Sequence, residues 1–148
     1  MAYSSLDPLS DGIFAKLNVV ALKGAYPSVG AGCNSVGDFV PQPLTFPFLL
    51  YSMKEKDISG LGSGPSVKQI ELRLHVFSTF QGMKEAKRIM TAAIGLLQFV
   101  SPSATGWQIP AIGRPNDVVE IGNSEINGIV CRELVSIWDD FFACENAA

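Results

Sequence analysis

Residues 67–77 read Val-Lys-Gln-Ile-Glu-Leu-Arg-Leu-His-Val-Phe, and this alternation decides the fold. From Ile70 to Val76 the even positions are apolar and the odd positions are polar, the period of two expected for a strand with one buried face. A few residues later, apolar residues recur with the helical period of about 3.6. They are Ala86, Ile89, Met90, Ala93, Ile94 and Leu97. The sequence therefore predicts an amphipathic strand followed by an amphipathic helix.

The size and charge of the chain limit the classes of protein to which it can belong. It has 148 residues, of which 47% are hydrophobic, and we predict a single domain over residues 1–148. The formal net charge is −3, with 11 basic and 14 acidic residues. Such a balance provides no strongly basic surface for gripping nucleic acid or an anionic membrane.

The cysteines and the start of the sequence favour a protein that stays in the cytosol. Cys33, Cys131 and Cys144 are odd in number and unevenly spaced, which favours reduced thiols over a disulfide framework or a zinc site. The first five residues lack the basic and apolar regions of a signal peptide. The apolar run 94–100 is much shorter than the ~20 residues that span a bilayer.

The residues before this strand predict a first helix and then extended segments. Ser5 or Asp7 can cap the helix, whose apolar face comprises Leu9, Ile13, Phe14, Leu17, Val20 and Ala21. Gly24 and Pro27 are expected to end it. Residues 39–40 and 46–53 are predicted to be extended, and we place this part at a sheet edge because it contains Pro41, Pro43 and Pro47.

Three more strands are predicted after the second helix, at residues 107–112, 118–121 and 129–138. Asn127-Gly128 is a favourable hairpin turn between the last two, and Gly122-Asn123-Ser124 is a rival turn. The complete order predicts an α+β fold, with a mainly antiparallel sheet of about five strands and two helices packed on one face.

The other face of this sheet is the more informative one for function. On the strand 67–77 it would carry Glu71, Arg73, His75 and Phe77, and the last strand is apolar on both faces. A strand that is apolar on both faces requires a second cover. That cover is either another subunit or a long loop folded over the sheet.

The residues capable of chemistry are few, and we predict no enzyme, no metal site and no cofactor. His75 is the only histidine, and on the polar face of a strand it is more simply a solvated or interface residue than a catalytic base. The glycines Gly60, Gly62 and Gly64 form a loop between strands, without the lysine and the following helix of a phosphate-binding loop. Adjacent Asp139 and Asp140 point to opposite sides of an extended chain, so with Glu133 they make no metal site.

The aromatic residues near the end of the sequence have two interpretations. Trp138, Phe141 and Phe142 can belong to the core, or they can form a docking surface with the C-terminal segment 139–148. The sequence favours neither.

Four segments resemble the tail terminator proteins of long-tailed bacteriophages, also called tail-completion or tail-to-head joining proteins, and their relatives in phage-like particles. The segments are Ile13-Phe14-Ala15-Lys16-Leu17, residues 38–42 followed by Phe46-Pro47-Phe48-Leu49-Leu50, the strand 71–78, and Glu85-Ala86-Lys87-Arg88-Ile89-Met90. The resemblance extends from about residue 10 to residue 138. The loop 28–37 is long for this family, and residues from Asp139 onward have no counterpart in it.

This resemblance implies a virion structural protein of the tail neck, made in the cytoplasm of the bacterial host. Its subunits would form a homo-oligomeric ring, usually of six, that caps the tail tube protein and ends its polymerisation. The ring would then bind a head connector or stopper protein, and the genome would pass through it without specific binding. An acidic subunit agrees with that passage, because a basic lumen would hold DNA through its phosphates.

The predicted subunit or neck interface comprises Gly60, Gly62, Gly64, Arg73, His75, Phe77, Trp138, Phe141 and Phe142. One alternative is another neck or tail-tube component, at a different level of the particle. A second alternative is a small cytosolic enzyme or ligand-binding domain, which would require a concave site with convergent polar groups.

Overall fold

The computed structural model describes residues 5–19, 33, 35–58, 67–79 and 82–146. Two helices are present in this part of the chain, α1 (Leu6–Leu17) and α2 (Lys84–Leu97). Its six strands are β1 (Ser35–Gly37), β2 (Phe48–Asp57), β3 (Val67–Ser78), β4 (Trp107–Gln108), β5 (Asp117–Ile126) and β6 (Ile129–Glu145).

The strands form one mixed sheet in the order β1-β2-β3-β6-β4, and β5 also pairs with β6. The short strand β1 is parallel to β2, whereas the other pairings are antiparallel. The predicted α+β class is therefore confirmed. The predicted antiparallel sheet of about five strands is only roughly correct, because the described residues form six strands and one described pair is parallel.

Both helices pack on the same face of the sheet, as predicted. Their buried residues, among them Ile13 and Ile89, join the alternating face of β3, where Ile70, Leu72 and Leu74 are fully buried. Full burial of a large aliphatic side chain contributes about 1.5–3 kcal/mol. The apolar face of β3 and the apolar face of α2 thus pack together in one core.

The first helix is shorter than its apolar pattern predicts. It ends at Leu17, and Asn18 leaves the helical region with φ −82° and ψ 61°. Val20 and Ala21, which we expected in the helix, lie outside the described residues, as do Gly24 and Pro27. Ser5 precedes the helix but does not cap it with its side chain, because its hydroxyl and its backbone N–H both donate to the Glu55 carboxylate, at 2.6 and 2.9 Å.

The proline-rich segment forms a loop rather than an edge strand. Residues 38–47 connect β1 to β2, and β1 occupies the edge that we assigned to this segment. Prolines lack the N–H that a strand donates to its neighbour, which explains why the ladder begins only at Phe48.

The hairpin of β5 and β6 turns at Asn127-Gly128, both of which have positive φ (51° and 81°), as a tight hairpin turn requires. The rival turn instead contains a β-bulge at Gly122, whose φ is 89°. The last strand also continues past Trp138 to Glu145, because β3 and β4 pair with its second half. Most of the C-terminal segment predicted for docking thus belongs to the sheet.

Candidate assembly surface

The face of the sheet opposite the helices carries an aromatic stack beneath the proline-rich loop. The ring centroids of Phe48 and Phe77 are 5.0 Å apart, and those of Phe46 and Phe48 are 5.3 Å apart. Val40 and Leu44 of the loop pack against the same cluster. Phe77 is therefore only 8% exposed. We predicted that either another subunit or a loop of the same chain covers this face. The proline-rich loop of the same subunit covers the part that contains the aromatic stack.

Beside the stack, three polar side chains form a network on the same face. The Glu133 carboxylate accepts a hydrogen bond from the Ser124 hydroxyl at 2.7 Å, and its other oxygen lies 2.8 Å from Nδ1 of His75. The imidazole also stacks on Phe77, with centroids 6.2 Å apart. Because the serine donates to the carboxylate and not to the imidazole, the order of groups differs from that of a Ser-His-Asp triad.

We refer to the sheet face opposite the helices as the helix-free face. Its part near β2 carries polar side chains. Glu71 forms ion pairs with Lys54 at 3.3 Å and with Arg73 at 3.5 Å. The Lys54 and Arg73 side chains are 74% and 43% exposed. Exposed pairs of this kind contribute little stability, about 0–1 kcal/mol each. They leave Arg73 accessible to a partner.

Three apolar side chains of the β5–β6 hairpin are exposed. They are Ile121, Ile129 and Val130, which are 51%, 43% and 62% exposed, and we refer to them as the hairpin surface. β5 is bonded to β6 along one side, and no other described strand pairs with it. An exposed edge next to exposed apolar residues is typical of a surface that another chain covers.

Trp138 and Phe141 belong to the core of the subunit. They are 1% and 3% exposed, and the indole Nε1–H donates to the Ser136 hydroxyl at 2.9 Å. Phe142 points to the opposite face, where it pairs with Gln69, and it is only partly buried. Of the two interpretations of these aromatics, the core is correct for Trp138 and Phe141.

The described residues contain no cluster of three His, Cys, Asp or Glu side chains that could hold a metal ion. None of the three cysteines takes part in a disulfide. Burial raises the pKa of the Cys131 thiol, and the nearby Glu133 charge raises it further, which opposes the thiolate form needed by a nucleophile. Neither described helix is long and apolar enough to span a membrane.

A family model described as Tail completion protein gp17 matches residues 19–119. The chain belongs to this family. Membership makes it a structural component of a phage-type virion tail, and it points away from an enzymatic role. The segment matched contains the proline-rich loop, β2, β3 and α2, which hold three of the four segments that carry the resemblance in the sequence; the fourth, in α1, lies outside it.

The fold of this tail completion protein also resembles a solved structure titled "Virion of native gene transfer agent (GTA) particle". The TM-score is 0.71, the sequence identity is 14%, and the match covers 99% of this chain and 100% of the other. At that identity the likeness concerns the fold alone. No curated protein sequence gives a significant match.

The structure separates the residues that we predicted for the interface of this tail completion protein. Arg73 and His75 lie on the helix-free face, and Phe77 lies there beneath the loop. Gly60, Gly62 and Gly64 lie outside the described residues. The residues of the hairpin surface were not among those predicted for the interface, although the last strand, which begins with Ile129-Val130, was predicted to be apolar on both faces.

Proposed function

We propose that this tail completion protein ends polymerisation of the tail tube and joins the finished tail to the head, as a ring of six subunits. The observation that carries the proposal is the hairpin surface, because exposed apolar side chains on an edge hairpin are typical of a surface that another chain covers. The family supports a position in the tail. The ring would contact the tail tube protein on one side and the head connector or stopper protein on the other.

A ring requires two different surfaces on each subunit, since a repeated head-to-tail contact is what closes under cyclic symmetry. We assign the hairpin surface to one of them. The polar strip around Arg73 and His75 and the partly buried Phe142 lie on the helix-free face, where we place contacts with the neighbouring subunit or the neck. Trp138 and Phe141 act indirectly, by fixing the strand that carries this face.

Passage of the genome fits the charge of the subunit. With a formal net charge of −3, it offers few cations that could neutralise phosphates. Binding through phosphates depends on such neutralisation, so the DNA would slide past without being held. We therefore assign no specific contact with nucleic acid to this protein.

The test is deletion of the gene in the phage or phage-like particle that encodes it, followed by electron microscopy. We expect filled heads and unattached tails, with some tails longer than normal. Tails of uniform length attached to heads would contradict the proposal. Immunogold labelling of the chain in complete particles separates the neck from the tube, because label along the whole tail would indicate a tube component instead.

A further inference from the structure

Phe99 is held in an unfavourable backbone conformation and is exposed. It follows α2 with φ 61°, a left-handed value that bulky side chains rarely adopt, and its side chain is 62% exposed. Two backbone hydrogen bonds with Ile112 hold this segment: the Phe99 N–H donates to the Ile112 carbonyl, and the Ile112 N–H donates to the Val100 carbonyl. The Val100 N–H also donates to the Leu97 carbonyl at 3.2 Å, so Phe99 is the third residue of a tight turn, a position that favours glycine, and burial does not explain a phenylalanine there. Strained residues of this kind cluster where a protein binds something.

Arg114 covers one face of the Phe99 ring. Its guanidinium carbon lies 5.7 Å from the ring centroid, within cation–π distance. The side chain is exposed, and no carboxylate of the described residues forms an ion pair with it. Arginine and aromatic side chains are the two groups most enriched at the centres of protein interfaces. We refer to this pair as the Phe99–Arg114 knob.

A groove with complementary properties lies at the other end of the sheet. It has a volume of about 310 Å³ and is lined by Leu6, Asp7, Ser10, Asp38, Tyr51 and Met53, among others. Leu6 and Met53 supply apolar surface, while Asp7 and Asp38 are exposed. The Tyr51 hydroxyl lies 3.1 Å from the Ser10 hydroxyl. A groove that combines apolar side chains with hydroxyls and two exposed carboxylates fits an aromatic ring that carries a cation.

The charge on this groove also acts on Tyr51. Burial is the main cause of its raised pKa, and the negative charges of Asp38 and Asp11 raise it further. Asp7, Asp11 and Asp38 form no ion pair with another described residue. The groove therefore presents an uncompensated negative potential, which would attract the guanidinium of the knob.

We propose that the Phe99–Arg114 knob of one subunit docks into this groove on a second copy of the chain. The proposal rests on the ring assembly described above and adds a contact between neighbouring subunits to the one assigned to the hairpin surface. The groove lies at the β1 and β2 end of the sheet, whereas Arg114 immediately precedes β5, with β3 and β6 between them. A contact between two different surfaces at opposite ends of a subunit is heterologous, and such a contact generates rings.

A photo-crosslinking experiment identifies the neighbour of Phe99 directly. Phe99 is replaced by p-benzoylphenylalanine, particles are assembled in the host and irradiated, and the crosslinked peptides are sequenced by mass spectrometry. We expect crosslinks to peptides containing residues 6–10 or 38–53 of a second copy, in ladders on a denaturing gel.

The other outcomes separate this proposal from the function on which it rests. Crosslinks to a tail-tube or head protein, to another part of the same chain, or to nothing overturn the knob-and-groove contact and leave the neck position intact. If the unsubstituted chain is absent from purified particles, both the knob-and-groove contact and the proposed function are wrong.

A charge reversal gives an independent test. Arg114→Glu should lower the titre of infectious particles at least tenfold, and adding Asp38→Arg to it should restore most of that loss. Lys84→Glu is the matched control, because it makes the same change of charge at an exposed position on α2 and should leave the titre unchanged. Equal titres for the single and double variants would overturn the contact between Arg114 and Asp38.

Discussion

Glu133 reaches diagonally across the sheet to His75. The register of β3 and β6 places Glu133 opposite Phe77 and places His75 opposite Val135, yet the carboxylate and the imidazole are 2.8 Å apart. The two residues belong to different strands and are 58 positions apart in the chain. It lies at the border between the aromatic stack and the open part of the helix-free face.

Removing that carboxylate should destabilise the subunit. Glu133→Ala leaves both His75 and the Ser124 hydroxyl without their partner at a largely buried position. We expect the free energy of unfolding to fall by about 1–3 kcal/mol, measured by urea denaturation. Glu125→Ala is the control, since Glu125 is exposed on β5, and should change stability by less than about 0.5 kcal/mol. Equal effects of the two variants would show that the network contributes nothing.

Trp138 should behave as a core residue. Trp138→Ala removes a fully buried indole and its hydrogen bond to Ser136, and we expect a loss of about 3–5 kcal/mol in unfolding free energy. Val130→Ala, on the same strand but 62% exposed, should cost less than about 0.5 kcal/mol. A Trp138→Ala subunit as stable as the Val130→Ala subunit would place Trp138 outside the core.

Two helical glycines should respond oppositely to alanine. A Cβ at Gly12 would lie 2.0 Å from the backbone oxygen of Ser103, so Gly12→Ala must displace α1 from that loop. We expect a loss of about 1–3 kcal/mol. Gly95 in α2 has no atom within 4 Å of its Cβ position, and Gly95→Ala should stabilise the subunit by about 0.5–1 kcal/mol. Thermal unfolding of the two variants, followed by circular dichroism, checks both signs.

The backbone strain at Phe99 can be measured without reference to assembly. Phe99→Gly and Phe99→Ala both remove the ring and its contact with Arg114, but only glycine adopts φ 61° without steric cost. We therefore expect the glycine variant to be about 1–2 kcal/mol more stable than the alanine variant. Equal stability of the two variants would show that the backbone relaxes freely at this position.

The hairpin surface should be needed for assembly and not for folding. Val130→Asp introduces a charge at the most exposed of its three residues, so the circular dichroism spectrum should stay unchanged while incorporation into particles falls at least tenfold. Thr105→Asp adds the same charge in an exposed turn near β4 and serves as the control. Normal incorporation of Val130→Asp would remove this surface from the proposed interface.

The sequence predicted those elements in which local pattern and tertiary environment agree. β3 alternates because one face meets the helices, and α2 keeps a polar face because it is exposed on the other side. The Asn127-Gly128 turn was predictable for the same reason, since few other residues accept positive φ twice in succession.

The features that were not predicted depend on contacts between distant parts of the chain. The extension of β6 beyond Trp138 comes from pairing with Val67–Ile70 and with β4, which outweighs the low strand preference of two aspartates. The proline-rich loop covers Phe48 and Phe77 because it connects the edge strand β1 to β2. No local sequence pattern encodes its path across the sheet. The groove beside α1 likewise combines three separate segments of sequence.

The pairing of β3 with β6 also determines how the nascent chain behaves on the ribosome. β3 emerges next to β2, but 58 further residues, from Val76 to Glu133, must be translated before its second edge is covered. At ordinary translation rates this takes about 3–12 s. During that interval neighbouring ribosomes on one messenger RNA present the same open edge to each other. Slower synthesis lengthens this interval and therefore favours pairing between different chains, whereas faster synthesis lets each β6 cover its own β3 sooner.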